Sequence, residues 1–173
     1  VEEVRRKFFG TLYNTYSFFS LYANIDQFVM DESRAIALKD KSELDRWIIS
    51  KLNSLKKEVE DALDEYEPTV AARLIENFVD RNLSNWYVRL SRRRFWKNEV
   101  SSDKQAAYET LYECLETVAQ LMSPIAPFFS EWLYQNLTQA IRSKAIDNNT
   151  PLRYESIHLT EWTAVAIENI DSE

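Results

Sequence analysis

Between Asn85 and Lys97 the chain reads Asn-Trp-Tyr-Val-Arg-Leu-Ser-Arg-Arg-Arg-Phe-Trp-Lys. Cations stand at Arg89, Arg92, Arg93, Arg94 and Lys97, and aromatic rings at Trp86, Tyr87, Phe95 and Trp96. Arginine forks hold phosphate oxygens two at a time, and flat rings give unstacked bases a surface to lie on. The chemistry offered is capture of a polyanion with exposed bases, which points to RNA. The chain as a whole opposes such a partner, since 21 Lys and Arg face 28 Asp and Glu for a net charge of −7. Positive charge crowded onto so short a stretch of an acidic chain marks a segregated surface. The same run also fits a solvated helix face balanced by surrounding acids, and spacing alone leaves both readings open. A smaller basic cluster, Arg5, Arg6 and Lys7, stands near the start of the sequence.

Scarcity removes other chemistry. With one cysteine, Cys114, no intrachain disulfide or multi-cysteine zinc site can be built. With one histidine, His158, paired-histidine metal sites and histidine nucleotide motifs are excluded. The single glycine, Gly10, cannot supply a phosphate-cradling loop or a dinucleotide turn. The expectation is a binding module with no active site of its own. Cys114 reads as a packing residue and His158 as a surface or tail residue.

The elements that must carry the basic run are helical. One glycine, four prolines and no Asn-Gly or Asp-Gly pair leave little means of turning strands back on themselves. The spacing predicts a helix over 1–22, with Val4, Phe8, Leu12, Tyr16 and Phe19 near one face. An acidic connection follows over 24–41. Ser42 with Asp45 resembles an N-cap and acidic first turn. Leu44, Ile48, Leu52, Leu55, Val59, Ala62 and Tyr66 then mark a helix over 43–66. Pro68 opens the next helix, whose stripe of Ile75, Val79, Leu83, Trp86 and Leu90 extends to about residue 97. In that register Arg93 lies beside the apolar stripe and is expected to pair with a buried carboxylate. Arg89, Arg92 and Trp96 share an adjacent, open face. Ser101 or Ser102 caps a fourth helix bearing Ala107, Leu111, Cys114, Val118 and Leu121, which Ser123–Pro127 interrupts. A shorter helix is predicted over 128–142, and residues 156–162 read as a short strand or extended tail.

The predicted fold is all-α: four long helices and a shorter fifth, sequential neighbours antiparallel, with an irregular C-terminal tail. The bundle is assigned to 1–142 and a polar extension to 143–173. No run of about 18 uncharged apolar residues is present, so a membrane span is not expected. The opening Val-Glu-Glu-Val-Arg-Arg reads as the inside of a helix, and the chain is expected to be a cytoplasmic piece of a longer protein.

Several segments in order resemble the isoleucyl-tRNA synthetase family, in the helical domain after its catalytic core. Asn82-Leu-Ser-Asn-Trp-Tyr-Val-Arg-Leu-Ser-Arg-Arg-Arg-Phe-Trp96 is the most specific of them. Val4-Arg-Arg-Lys-Phe-Phe-Gly-Thr-Leu-Tyr-Asn14 and Asp45-Arg-Trp-Ile-Ile-Ser-Lys-Leu-Asn53 are similar to the starts of the family's first and second bundle helices. Leu121-Met-Ser-Pro-Ile-Ala-Pro-Phe-Phe-Ser-Glu-Trp-Leu-Tyr134 resembles a segment shared with the valine, leucine and methionine enzymes, and Ser156–Trp162 the tail after the bundle. The resemblance implies an anticodon-binding domain that binds isoleucine tRNA beside the catalytic and C-terminal domains of a monomeric parent. That parent ligates isoleucine to tRNA with ATP and Mg²⁺, and its nucleotide motifs are missing here. The residues implied for tRNA are Arg5, Arg6, Lys7, Asn14, Asn85, Arg89, Arg92, Arg94, Trp96 and Lys97. Arg89, Arg92 and Arg94 would hold phosphates, Trp96 would stack a base, and Asn14 or Asn85 would read a base edge. A structural bundle bracing the catalytic core, and the equivalent domain of the valine or leucine enzyme, are the alternatives.

Overall fold

The computed structural model describes residues 5–170, with side chains from Lys7 onward. Val4 and the side chains of Arg5 and Arg6 lie outside the described residues. Helix α1, Gly10–Ile25, continues a π-helical turn over Arg5–Phe9. It buries Leu12, Thr15, Phe19 and Ala23, a spacing of three and four that lines one helical face.

Helix α2, Glu43–Asp64, starts where the sequence predicts. The Ser42 hydroxyl accepts from the backbone N–H of Asp45 at 3.3 Å, satisfying one of the unpaired donors of the first turn. Ile48, Leu52, Leu55, Val59 and Ala62 are buried along its length. Tyr66, placed at the end of that stripe by periodicity, instead stands 91% exposed. Its φ of 60° is the left-handed conformation that ends a helix, which turns the ring away from the core.

Pro68 occupies the first turn of α3, Pro68–Asn77, where a missing N–H costs nothing. A π-helical stretch, Phe78–Val88, then leads without a break into α4, Arg89–Phe95. The three form one rod packed against α1 and α2. Helix α5, Ser102–Met122, begins at Ser101, whose hydroxyl accepts from the N–H of Lys104 at 3.2 Å. Periodicity predicts one apolar side for α5, yet residues around its whole circumference are buried, among them Ala106, Ala107, Tyr108, Thr110 and Leu111. Contacts with α1, α2, α4 and the helix that follows surround it, so it is the central element of the core.

Pro127 opens α6, Pro127–Leu137, after the predicted interruption. The short helix expected over 128–142 is two pieces, because Thr138 ends α6 and caps α7, Gln139–Asp147. The Thr138 hydroxyl donates to the Tyr134 carbonyl at 2.7 Å, a local bond that competes with the helical ladder. Among the described residues no strand occurs, and no helix is long and apolar enough to cross a membrane. The tail forms a 3₁₀ turn at Ile157–Leu159, where Ile157 is buried and His158 exposed. Glu131 on α6 holds that turn by accepting from the Ser156 hydroxyl at 2.7 Å and the Ile157 N–H at 3.1 Å.

Candidate nucleic-acid interface

The register of the rod decides which basic residues reach solvent. A continuous α-helix would carry the stripe from Ile75 and Val79 to Trp86, Leu90 and Arg93. In the structure the buried positions are Leu83, Tyr87, Val88, Ser91 and Phe95. The stripe has advanced by one residue. The π-helical stretch supplies that residue, since i→i+5 bonding places one more in each turn than i→i+4 bonding. Trp86 and Leu90, expected in the core, are therefore 60% and 55% exposed.

The shift also changes which arginine turns inward. Arg94, not Arg93, meets the buried carboxylate, which belongs to Asp45 at the first turn of α2. Arg94 donates to Asp45 Oδ1 and Oδ2 at 2.7 Å each, a two-pronged pair, and to the Asp103 carbonyl at 2.8 Å. Asp103 Oδ1 lies 2.9 Å from the same guanidinium. The Tyr87 hydroxyl donates to Asp45 Oδ1 at 2.6 Å. Burial would raise the Asp45 pKa, but the bonds from Arg94 and Tyr87 outweigh it and hold the carboxyl below its ordinary value. Burial likewise acts to lower the Arg94 pKa, and the bond to Asp45 reverses the sign and raises it. The sequence-based assignment of Arg94 to phosphate is corrected on this ground: its side chain is only 12% exposed, and its guanidinium is already paired with two acids.

What remains on the open side of the rod is Asn85, Trp86, Arg89, Leu90, Arg92, Arg93, Trp96 and Lys97, all exposed. Among the described residues Arg89, Arg92 and Arg93 have no side-chain ion pair. Trp96 is 57% exposed and so presents ring surface to solvent, while its neighbour Phe95 closes the core against Phe18 and Tyr108. Trp86 leans on Trp47 of α2 with 6.2 Å between ring centres. The backbone under the strip is pinned from α5, where the Lys104 ammonium donates to the Lys97 carbonyl at 2.6 Å.

The other predicted residues are spread more widely. Asn85 is exposed, and its side-chain amide donates to Asp80 Oδ1 at 3.2 Å. Asn14 is exposed on α1, and Lys7 is exposed on the π-helical turn before it. Sequence reasoning placed Trp86 and Leu90 in the core stripe, and gave Tyr87 and Asp45 no part in deciding which arginine turns inward. The one available signal was Asp45 itself, read as an acidic first-turn residue because its partners lie some forty or more positions away.

The family described as anticodon-binding domain of tRNA ligase matches residues 45–173. An isoleucine–tRNA ligase of Bacteroides thetaiotaomicron is 56% identical over all 173 residues, which make up 14% of that relative. One from Cytophaga hutchinsonii is 53% identical over the same length, 15% of it. A third, from Porphyromonas gingivalis, is 60% identical over 138 residues, covering 80% of this chain and 12% of the relative. The chain thus spans about one seventh of the length of the curated relatives it matches.

Proposed function

The chain belongs to the anticodon-binding domain family of tRNA ligases, and we propose that it is the tRNA-binding part of an isoleucine–tRNA ligase. The observation that carries this reading is the exposed row Arg89, Arg92, Arg93 and Trp96, without acid partners on a body of net charge −7. Anticodon-loop phosphates would lie along the arginines, and splayed bases would stack on Trp96 and Trp86. Each stacked base contributes roughly 1–3 kcal/mol. Asn14, Asn85, Lys97 and the basic residues Arg5, Arg6 and Lys7 would add contacts at the edges of this surface.

The parent enzyme would activate isoleucine with ATP and Mg²⁺ and act as a cytoplasmic monomer. One glycine cannot form a phosphate loop, so residues outside this chain would hold the nucleotide and metal. The bundle over 1–142 would be the RNA-binding body and 143–173 an extension packed on it. Contact with the catalytic and C-terminal domains suits the aromatic patch of Tyr13, Phe128 and Trp132, in which Phe128 is 90% exposed.

An isoleucine tRNA transcript titrated at low salt tests the reading. The wild-type chain is expected to bind, and a variant carrying Arg89→Ala, Arg92→Ala and Trp96→Ala to bind at least tenfold more weakly, the loss of roughly one stacked base and two phosphate contacts. Equal affinity would remove those residues from the interface. A transcript with a changed anticodon separates reading of bases from simple retention of RNA.

A further inference from the structure

Arg92, Arg93 and Arg94 offer three consecutive guanidinium groups, and a single buried carboxylate accepts one of them. Asp45 is fully buried, and its four acceptor bonds are all made inside the bundle. Oδ1 takes the Tyr87 hydroxyl and Arg94 Nη1, and Oδ2 takes Arg94 Nη2 and the Ser42 hydroxyl at 2.8 Å. Tyr87 and Arg94 stand seven residues apart, about two helical turns, on one face of the rod. One carboxylate at the head of α2 therefore grips the rod at two points, which fixes its rotation as well as its distance. Asp103, at the head of α5, holds the same guanidinium from the other side.

We infer that Asp45 is a positioning residue for the basic strip: by holding Tyr87 and Arg94 it sets the rotation of α4 that faces Arg92, Arg93 and Trp96 outward. The inference rests on the RNA-binding reading above for its consequence, though not for its geometry. A carboxylate that took Arg93 instead would turn α4 by one residue step, about 100°. Trp86 and Leu90 would then enter the core, and Tyr87, Ser91 and Phe95 would swing toward water. The arginine run is thus not three equivalent charges. One is a locating pin, and the other two are free because that pin is engaged.

Arg94→Lys is the discriminating variant, since it keeps the charge but cannot make two parallel bonds to one carboxylate. Tyr87→Phe is its companion, removing one grip and no charge. Val118→Ala, a fully buried core position on α5, serves as a control for lost stability alone. All are compared by binding of an anticodon stem-loop RNA, at a temperature where circular dichroism shows each folded. The ¹⁹F resonance of Trp96 in 5-fluorotryptophan-labelled protein, assigned through Trp96→Phe, is recorded for the same set. The expected result is several-fold weaker RNA binding and a displaced Trp96 resonance for Arg94→Lys, a smaller change of the same kind for Tyr87→Phe, and neither change for Val118→Ala. Arg94→Lys behaving like Val118→Ala in both measurements overturns the inference. If the wild-type chain binds no RNA, the RNA reading falls, and the resonance still decides the rotation claim: displaced sustains it, unmoved overturns it.

Discussion

Two carboxylates with opposite perturbations contribute to the pH response of this protein. On α5, burial pushes the Glu116 carboxyl up to about 7, against the downward pull of the Tyr112 hydroxyl bond at 3.3 Å. Like charge on Glu32 and Glu113 adds to the rise, and Arg153 opposes it. Between its ordinary value of 4.5 and about 7 the folded chain keeps a proton there that the unfolded chain gives up. Stability contributed by this group is therefore present at acid pH and lost as pH rises through that window. Glu116→Gln, which cannot ionise, is expected to melt higher than wild type at pH 8 by up to about 3 kcal/mol of stability. The advantage should vanish below pH 4.5, and thermal melts across pH 4–8 would show it. Asp45 has the reverse sign. Its pKa is depressed, so its contribution is complete above the ordinary carboxylate range and fades as pH falls below it. Asp45→Asn is expected to destabilise the bundle at pH 7, because it takes from the Arg94 charge its buried, two-pronged partner and leaves only Asp103, and the deficit should shrink in acid. A melting difference independent of pH would remove the ion pair from the explanation.

At the scale of the elements, the π-helical stretch Phe78–Val88 is the feature on which the interface turns. Leu83 and Leu90 test the register directly. An unbroken α-helix puts both in the core, whereas the structure buries Leu83 fully and leaves Leu90 55% exposed. Leu83→Ala is expected to cost about 2–5 kcal/mol of stability and Leu90→Ala less than about 0.5, measured by denaturant unfolding. Comparable losses at the two sites would mean that the rod is α-helical throughout. The same stretch marks where the sequence stopped being legible. Local signals placed α2, its Ser42 cap, Pro68, Ser101 and Pro127 correctly, because caps and proline act within a turn of their own position. The basic run was visible for the same reason. A π insertion has no local signature of the kind a cap or a proline gives, and only tertiary packing shows that the stripe has moved. Every misplacement on the rod, from Trp86 to Arg93, is that one-residue offset propagated forward. The inward arginine was out of reach too, since Asp45 and Arg94 are brought together by the bundle and by nothing between them in the chain.

At the scale of the whole molecule, RNA must approach a body that repels it. Twenty-eight acidic residues against 21 basic ones give a net charge of −7, and four exposed cations, Arg89, Arg92, Arg93 and Lys97, stand close together on one side of one rod. Two consequences separate this arrangement from diffuse basic binding. The first concerns salt. Each phosphate neutralised contributes about −0.7 to −0.9 to the slope of log affinity against log salt, so the four strip cations together contribute about −3 to −4. Arg89→Gln with Arg92→Gln should flatten that slope by about 1.5 to 2. Changing two exposed lysines outside the rod, Lys57→Gln with Lys39→Gln, should leave it unaltered. The second concerns RNA shape. Trp86 and Trp96 can stack only bases already freed from a helix, so a stem with an open loop should bind more tightly than a blunt duplex of equal charge. Both expectations can be measured in one fluorescence-anisotropy series over increasing salt. A slope that responds equally to either pair of substitutions, or a duplex that binds as well as the loop, would mean that attraction is spread over the molecule. The order of residues on α4 would then carry no recognition.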